Sequence, residues 1–297
     1  MRALLIAVLS SIALIAGVTD VRVIDRSEVL NGASPGSAGP YERIAAKATF
    51  AIDPKLPANR IITDIDYATR DPNGQVQFSA DIYVLKPRNT AKGNGTALVE
   101  ISNRGGKGML GMFDFAQSSR DPRSSAEFGD RFLLAQGYTL IWVGWQFDVP
   151  HLPGLLRIDT PIARKPDGSI TGLVRSDFVL DHRERSHSLA DRNHLAYPVI
   201  NPEDPAIKLT VRDRPDSPRK VIPRSQWEFA HDDDGRAIPD PTSIYMASGF
   251  EPARIYEVVY TAKDPSVAGL GPAAVRDFVS FLKYGGADTL LGDQGRF

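Results

Sequence analysis

The chain has 297 residues, a formal charge of -1, 24% charged and 42% hydrophobic residues, and no cysteine. Disulfides, thiol catalysis and thiolate metal sites are therefore excluded, and the charge gives no reason for nucleic acid or an anionic membrane as partner. The length allows one large domain or two modest ones, and 25 glycines with 22 prolines imply many turns.

Met1-Arg2 is a short basic start, followed by an uncharged apolar run of 16 residues from Ala3 to Val18. A membrane span needs about 20 residues, so the run suits a secretory leader. Small residues Ala16, Gly17 and Thr19 sit where a peptidase could cut, although no clean A-x-A site is present. We read residues 1–19 as a signal peptide and the protein as secreted or periplasmic, with no stable membrane insertion after cleavage. An uncleaved anchor helix is the alternative.

Val21 to Leu30 alternates apolar and polar residues and reads as a strand, before a Gly/Pro/Ser loop. Lys47–Asp53 and Ile61–Thr69 read as further strands. The Asn-Gly signal in Asp71–Gln75 predicts a hairpin joining Ile61–Thr69 to the strand from Val76. Ala97–Ile101 is a short apolar strand that ends abruptly in Asn103-Arg104-Gly105-Gly106. A moderate helix pattern from Ser124 to Gln136 leads into a solid apolar strand at Tyr138–Pro150. Continuous apolar strands joined through a helix predict a parallel sheet covered on both faces.

From Leu155 to Ala253 proline and charge dominate, with short strands at Ile170–Leu180 and Ala206–Asp213 and a hairpin tip at Asp233-Asp234-Gly235-Arg236. This stretch reads as a β-rich insertion. Ile255 onward gives an apolar strand, a turn at Asp264-Pro265, and a helix from about Pro272, where a missing N–H costs nothing. Val275, Phe278, Val279 and Leu282 recur at helical spacing as one buried stripe, and Gly285-Gly286 offers a stop.

Candidate chemistry is sparse. The only G-x-S-x-G match, Gly32-Ala33-Ser34-Pro35-Gly36, is followed by more loop and no helix, so we read Ser34 as loop rather than nucleophile. The Asn103–Gly106 turn could aim backbone N–H groups at a developing oxyanion; otherwise it is a plain strand-end turn. His182, His187 and His194 with Asp181 and Asp191 match no zinc spacing, and Arg183, Arg185 and Arg192 would repel a cation. Asp232-Asp233-Asp234-Gly235 lacks calcium-loop spacing and reads as a turn. His151 alone is a weak signal. No cofactor and no metal are expected.

Leu30–Ile44, Val99–Lys107, Gly137–Pro150 and Asp264–Gly285 together resemble a family of exported bacterial α/β-hydrolase-domain proteins, usually about twice this length. The resemblance implies an α/β class, with a partial α/β-hydrolase-type sheet, an N-terminal β-rich segment (20–95) and a β-rich insertion (155–253). The core parts would be 96–154 and 254–297. It also implies oxyanion-loop backbone donors at Asn103 and Arg104, and a serine elbow, acid and histidine beyond Phe297. No catalytic side chain is identifiable in these residues. The expectation is thus the N-terminal portion of a secreted serine hydrolase acting on a small-molecule or polymer ester, inactive alone. The alternative is a non-catalytic extracytoplasmic β-rich binding protein.

Overall fold

A computed structural model describes residues 17–191, 194–284 and 288–291. Most of the leader (1–16), the Gly285-Gly286 stop and Arg192 lie outside the described residues.

Sixteen strands are described: β1 (Val18–Glu28), β2 (Tyr41–Ile52), β3 (Val76–Pro87), β4 (Ala97–Glu100), β5 (Thr139–Val143), β6 (Ile158–Asp159), β7 (Arg164–Lys165), β8 (Gly168–Ser169), β9 (Thr171–Val179), β10 (Glu184–Ser188), β11 (Lys208–Arg212), β12 (Lys220–Ile222), β13 (Ala230–Asp233), β14 (Arg236–Pro239), β15 (Ser243–Phe250) and β16 (Ile255–Lys263). The helices are α1 (Pro57–Arg60), α2 (Gly108–Asp114), α3 (Phe132–Ala135), α4 (Leu270–Tyr284) and α5 (Asp288–Leu291).

The first sheet runs β1-β2-β3-β5-β4, with β6 added on β3. Only β4 and β5 pair parallel; every other named pairing is antiparallel. A second sheet, β12-β11-β16-β9, is antiparallel throughout, and β10-β15 and β13-β14 form two more pairs. These several sheets correct the α/β expectation: the chain is β-rich, closer to a β-sandwich than to a doubly wound hydrolase sheet. β16, expected in the parallel core, instead lies between β9 and β11 in the second sheet.

The physical reason for the error lies in β3 and β5. Ile82, Val84, Ile141 and Val143 enter one core with α4, while Tyr83, Leu85, Leu140 and Trp142 enter another with α2 and α3. A strand buried on both faces has a continuous apolar sequence whichever way its neighbours run.

Other local differences have similar causes. Ile61–Thr69 is not a strand. Asp64 adopts φ 61°, a short 3₁₀ turn occupies Ile65–Tyr67, and β3 pairs with β2 along twelve positions. The Asp71 turn does form, with its carboxylate accepting from Asn73 N and Gln75 N at 2.9 Å. The helix pattern of Ser124–Gln136 breaks into a 3₁₀ turn and α3, divided at Gly129 (φ 53°) and Arg131 (φ 63°). β1 begins at Val18, opposite Phe50, and Gly17 O accepts from Ala51 N at 2.8 Å. The sheet thus starts inside the stretch assigned to the leader.

In α4 the buried apolar side chains Leu270, Ala273, Ala274, Phe278 and Leu282 pack on the β1–β3 face, and Gly271 and Asp277 are buried as well. Val275 and Val279 are only partly buried. Pro272 falls in the first turn as expected, where its missing donor leaves no bond unmade.

Asp114, at the end of α2, is fully buried. Its Oδ1 accepts from Leu133 N at 3.0 Å, while Oδ2 has no partner among the described residues. Burial pushes its carboxyl up to about 6 from the ordinary 3.8. Because the folded value is the higher one, this group's stabilisation is complete below 3.8 and is lost as pH rises through 6. Asp114→Asn should therefore be more stable than wild type at neutral pH by about 1 to 2 kcal/mol, after allowing for an amide N–H without an acceptor. Denaturant titrations should show the gap closing towards about pH 4. A constant gap across that range would contradict the assignment.

Candidate functional site

β4 and β5 run side by side from Ala97↔Thr139 to Glu100↔Trp142, so their following turns meet at one end of the sheet. The β4 turn is clamped by the β5 segment. Trp145 Nε1 donates to Ser102 O at 2.6 Å, and Gln146 Oε1 accepts from Arg104 N at 2.6 Å. Gly105, at φ 69°, lies so close to the Leu156 backbone that no Cβ would fit, and its carbonyl accepts from Leu156 N at 3.1 Å. Glycine is required there for both conformation and space.

Glu100 closes the strand. Its carboxylate accepts from Gly108 N (3.0 Å), Met109 N (2.8 Å) and Trp142 Nε1, which ties the start of α2 to β5. Lys107 fills the turn's interior and is only 7% exposed. Its Nζ donates to Arg120 O and to Gly154 O (2.7 Å) and lies 4.3 Å from the centre of the Tyr83 ring. Burial lowers this amine to about 8; the nearby Asp121 and Glu100 charges offset only part of that cost. Burial also works against the Asp121 carboxylate, yet hydrogen bonds from Arg123 and the charge of Arg43 hold it below the usual range.

A cavity of about 400 Å³ opens against this turn, lined by Glu100, Asn103, Arg104, Lys107, Ser119 and Arg120 among others. Asn103 is exposed, and its backbone N–H meets no acceptor among the described residues. The Arg104 side chain turns aside to Asp148 Oδ1 at 2.6 Å. Asp148 also anchors the segment after β10: its carbonyl accepts from Leu195 N at 2.6 Å, and His194 Nε2 lies 4.0 Å from Oδ2.

Of the two expected oxyanion donors, then, Asn103 N–H is free and Arg104 N–H is occupied by Gln146. Ser34 sits exposed in the β1–β2 loop. The histidine cluster does not converge: His182 and His187 both face Glu184, His187 also stacks on Phe178, and His194 faces Asp148. Asp232 Oδ1 accepts from Gly235 N at 2.9 Å, which is a hairpin turn. His151 is exposed against the Arg157 guanidinium. Among the described residues no serine hydroxyl bonds a histidine, and no three His, Cys, Asp or Glu side chains gather as a metal set.

Glu100, Lys107, Gln146 and Asp148 were missed from sequence. The available signal was a lone carboxylate closing an apolar strand and a lone lysine in a glycine turn; the partners of Gln146 and Asp148 gave none.

The chain matches no protein-family model, and no curated protein or solved structure is detectably similar to it.

Proposed function

We propose that this chain builds the carbonyl-binding side of an extracytoplasmic ester hydrolase of the serine type, acting on a small-molecule or polymer ester. The observation that supports it is the Asn103 N–H, unpaired among the described residues, beside a cavity of about 400 Å³ at the C-terminal end of the parallel pair β4–β5. Such a donor stabilises the oxygen that gains charge when a serine attacks an ester carbonyl, and one donor is worth about 10² to 10³ in rate. A histidine takes the serine proton and a carboxylate orients it. In this reading these three groups lie outside the described residues, as the resemblance implies, and Lys107 keeps the turn rigid by holding two neighbouring carbonyls.

A second reading is favoured by the occupied Arg104 N–H: the cavity binds a ligand without chemistry, as a β-rich extracytoplasmic binding protein would. Fluorophosphonate treatment of the protein, followed by peptide mass spectrometry, separates the two. A single modified serine with loss of ester turnover is expected. An unmodified protein that still binds ester without hydrolysing it would overturn the hydrolase reading in favour of the second.

A further inference from the structure

The second sheet ends on one side at β9, a nine-residue strand whose other edge meets no strand among the described residues. Strands that stay solitary at a sheet edge are short, bulged or broken by proline, because an open row of N–H and C=O groups invites another strand. The other ends of these two sheets follow that rule. β1 has two register shifts, β4 has four residues and β12 has three. β9 does not: it pairs with β16 continuously from Thr171↔Lys263 to Val179↔Ile255 and contains no proline.

Its outward residues are also patterned. Leu173, Arg175, Asp177 and Val179 share the solvent face, with Leu173 77% and Val179 56% exposed. The order apolar, positive, negative, apolar is complementary to itself when reversed.

We propose that β9 pairs antiparallel with β9 of a second copy of this chain, about a two-fold axis at Ser176. In that register Leu173 lies opposite Val179 of the second copy, and Arg175 lies opposite its Asp177. Each pair occurs twice, as an isologous interface requires. On the inner face Val174 lies opposite Phe178. Centring the axis one residue earlier sets Arg175 against Arg175 and Leu173 against Asp177, so charge selects the register. The contact joins two four-stranded sheets into one continuous sheet. Arg175 already reaches Asp177 of its own strand at 3.0 Å, so both side chains are held on the face where the partner's charges arrive.

Sedimentation equilibrium of wild type, Arg175→Asp, Asp177→Arg and the double reversal tests this. The wild type should dimerise. Each single reversal places like charges opposite each other and should weaken the dimer at least about tenfold, and the double reversal should restore it. Leu173→Lys, at an exposed position that should not disturb folding, should weaken it as well. A wild type that stays monomeric would overturn the proposal. So would single variants that dimerise like wild type, or a double reversal no tighter than the singles.

Discussion

Phe278→Ala should destabilise the protein by about 3 to 5 kcal/mol, the range for emptying a fully buried aromatic site. Phe278 has no exposed surface and belongs to the core formed where α4 meets the β1–β3 face, which also contains Ile44, Phe50, Ala80 and Ile82. Val275, one turn earlier, is only partly buried, so Val275→Ala should cost much less. Equal costs in denaturant titrations would mean that α4 does not pack as described. A cost of this size approaches the total stability of many domains, so the variant is best measured at low temperature or with a stabilising osmolyte.

Lys107 should make the protein more stable as pH rises from about 8 to about 10. Its folded value, about 8, lies below the ordinary 10.5, so the folded state gives up its proton first. The group's stabilisation is therefore complete above 10.5 and is lost as pH falls through 8, an integrated change of about 2 to 3 kcal/mol. Buried tyrosines oppose this only at higher pH. Burial raises Tyr41, Tyr83 and Tyr260, the last to about 12, so their stabilisation holds below 10 and is lost above it. Lys107→Met should abolish the rise between about pH 8 and pH 10 while leaving two carbonyls, of Arg120 and Gly154, without their donor. The check is a set of denaturant midpoints across that range for both proteins. A rise that persists in Lys107→Met would assign the linkage to another group.

Local signals carried much of the structure. The β5 strand, the α4 helix and the Asp233–Arg236 hairpin tip could be read from apolar runs, helical spacing and turn residues, because each is set by its own neighbours in sequence. Strand direction could not: β3 and β5 are buried on both faces, and burial alone does not distinguish a parallel from an antiparallel partner. Ile61–Thr69 alternates like a strand, yet Ile61 is 84% exposed, and the left-handed Asp64 turns the chain before any pairing. At the candidate site the glycine turn after β4 was legible because glycine marks close approach and positive φ. What holds the turn was not. Gln146 reaches Arg104 from 42 residues away, and Lys107 reaches Gly154 across 47, distances over which no local pattern survives.

Crystals of the fluorophosphonate-treated protein give the most direct test of the site. The phosphoryl oxygen of the adduct should lie about 2.7 to 3.1 Å from Asn103 N, at the mouth of the cavity lined by Glu100, Lys107 and Arg120. An adduct whose oxygen points away from the Asn103–Gly106 turn would contradict the assignment of that turn to carbonyl binding.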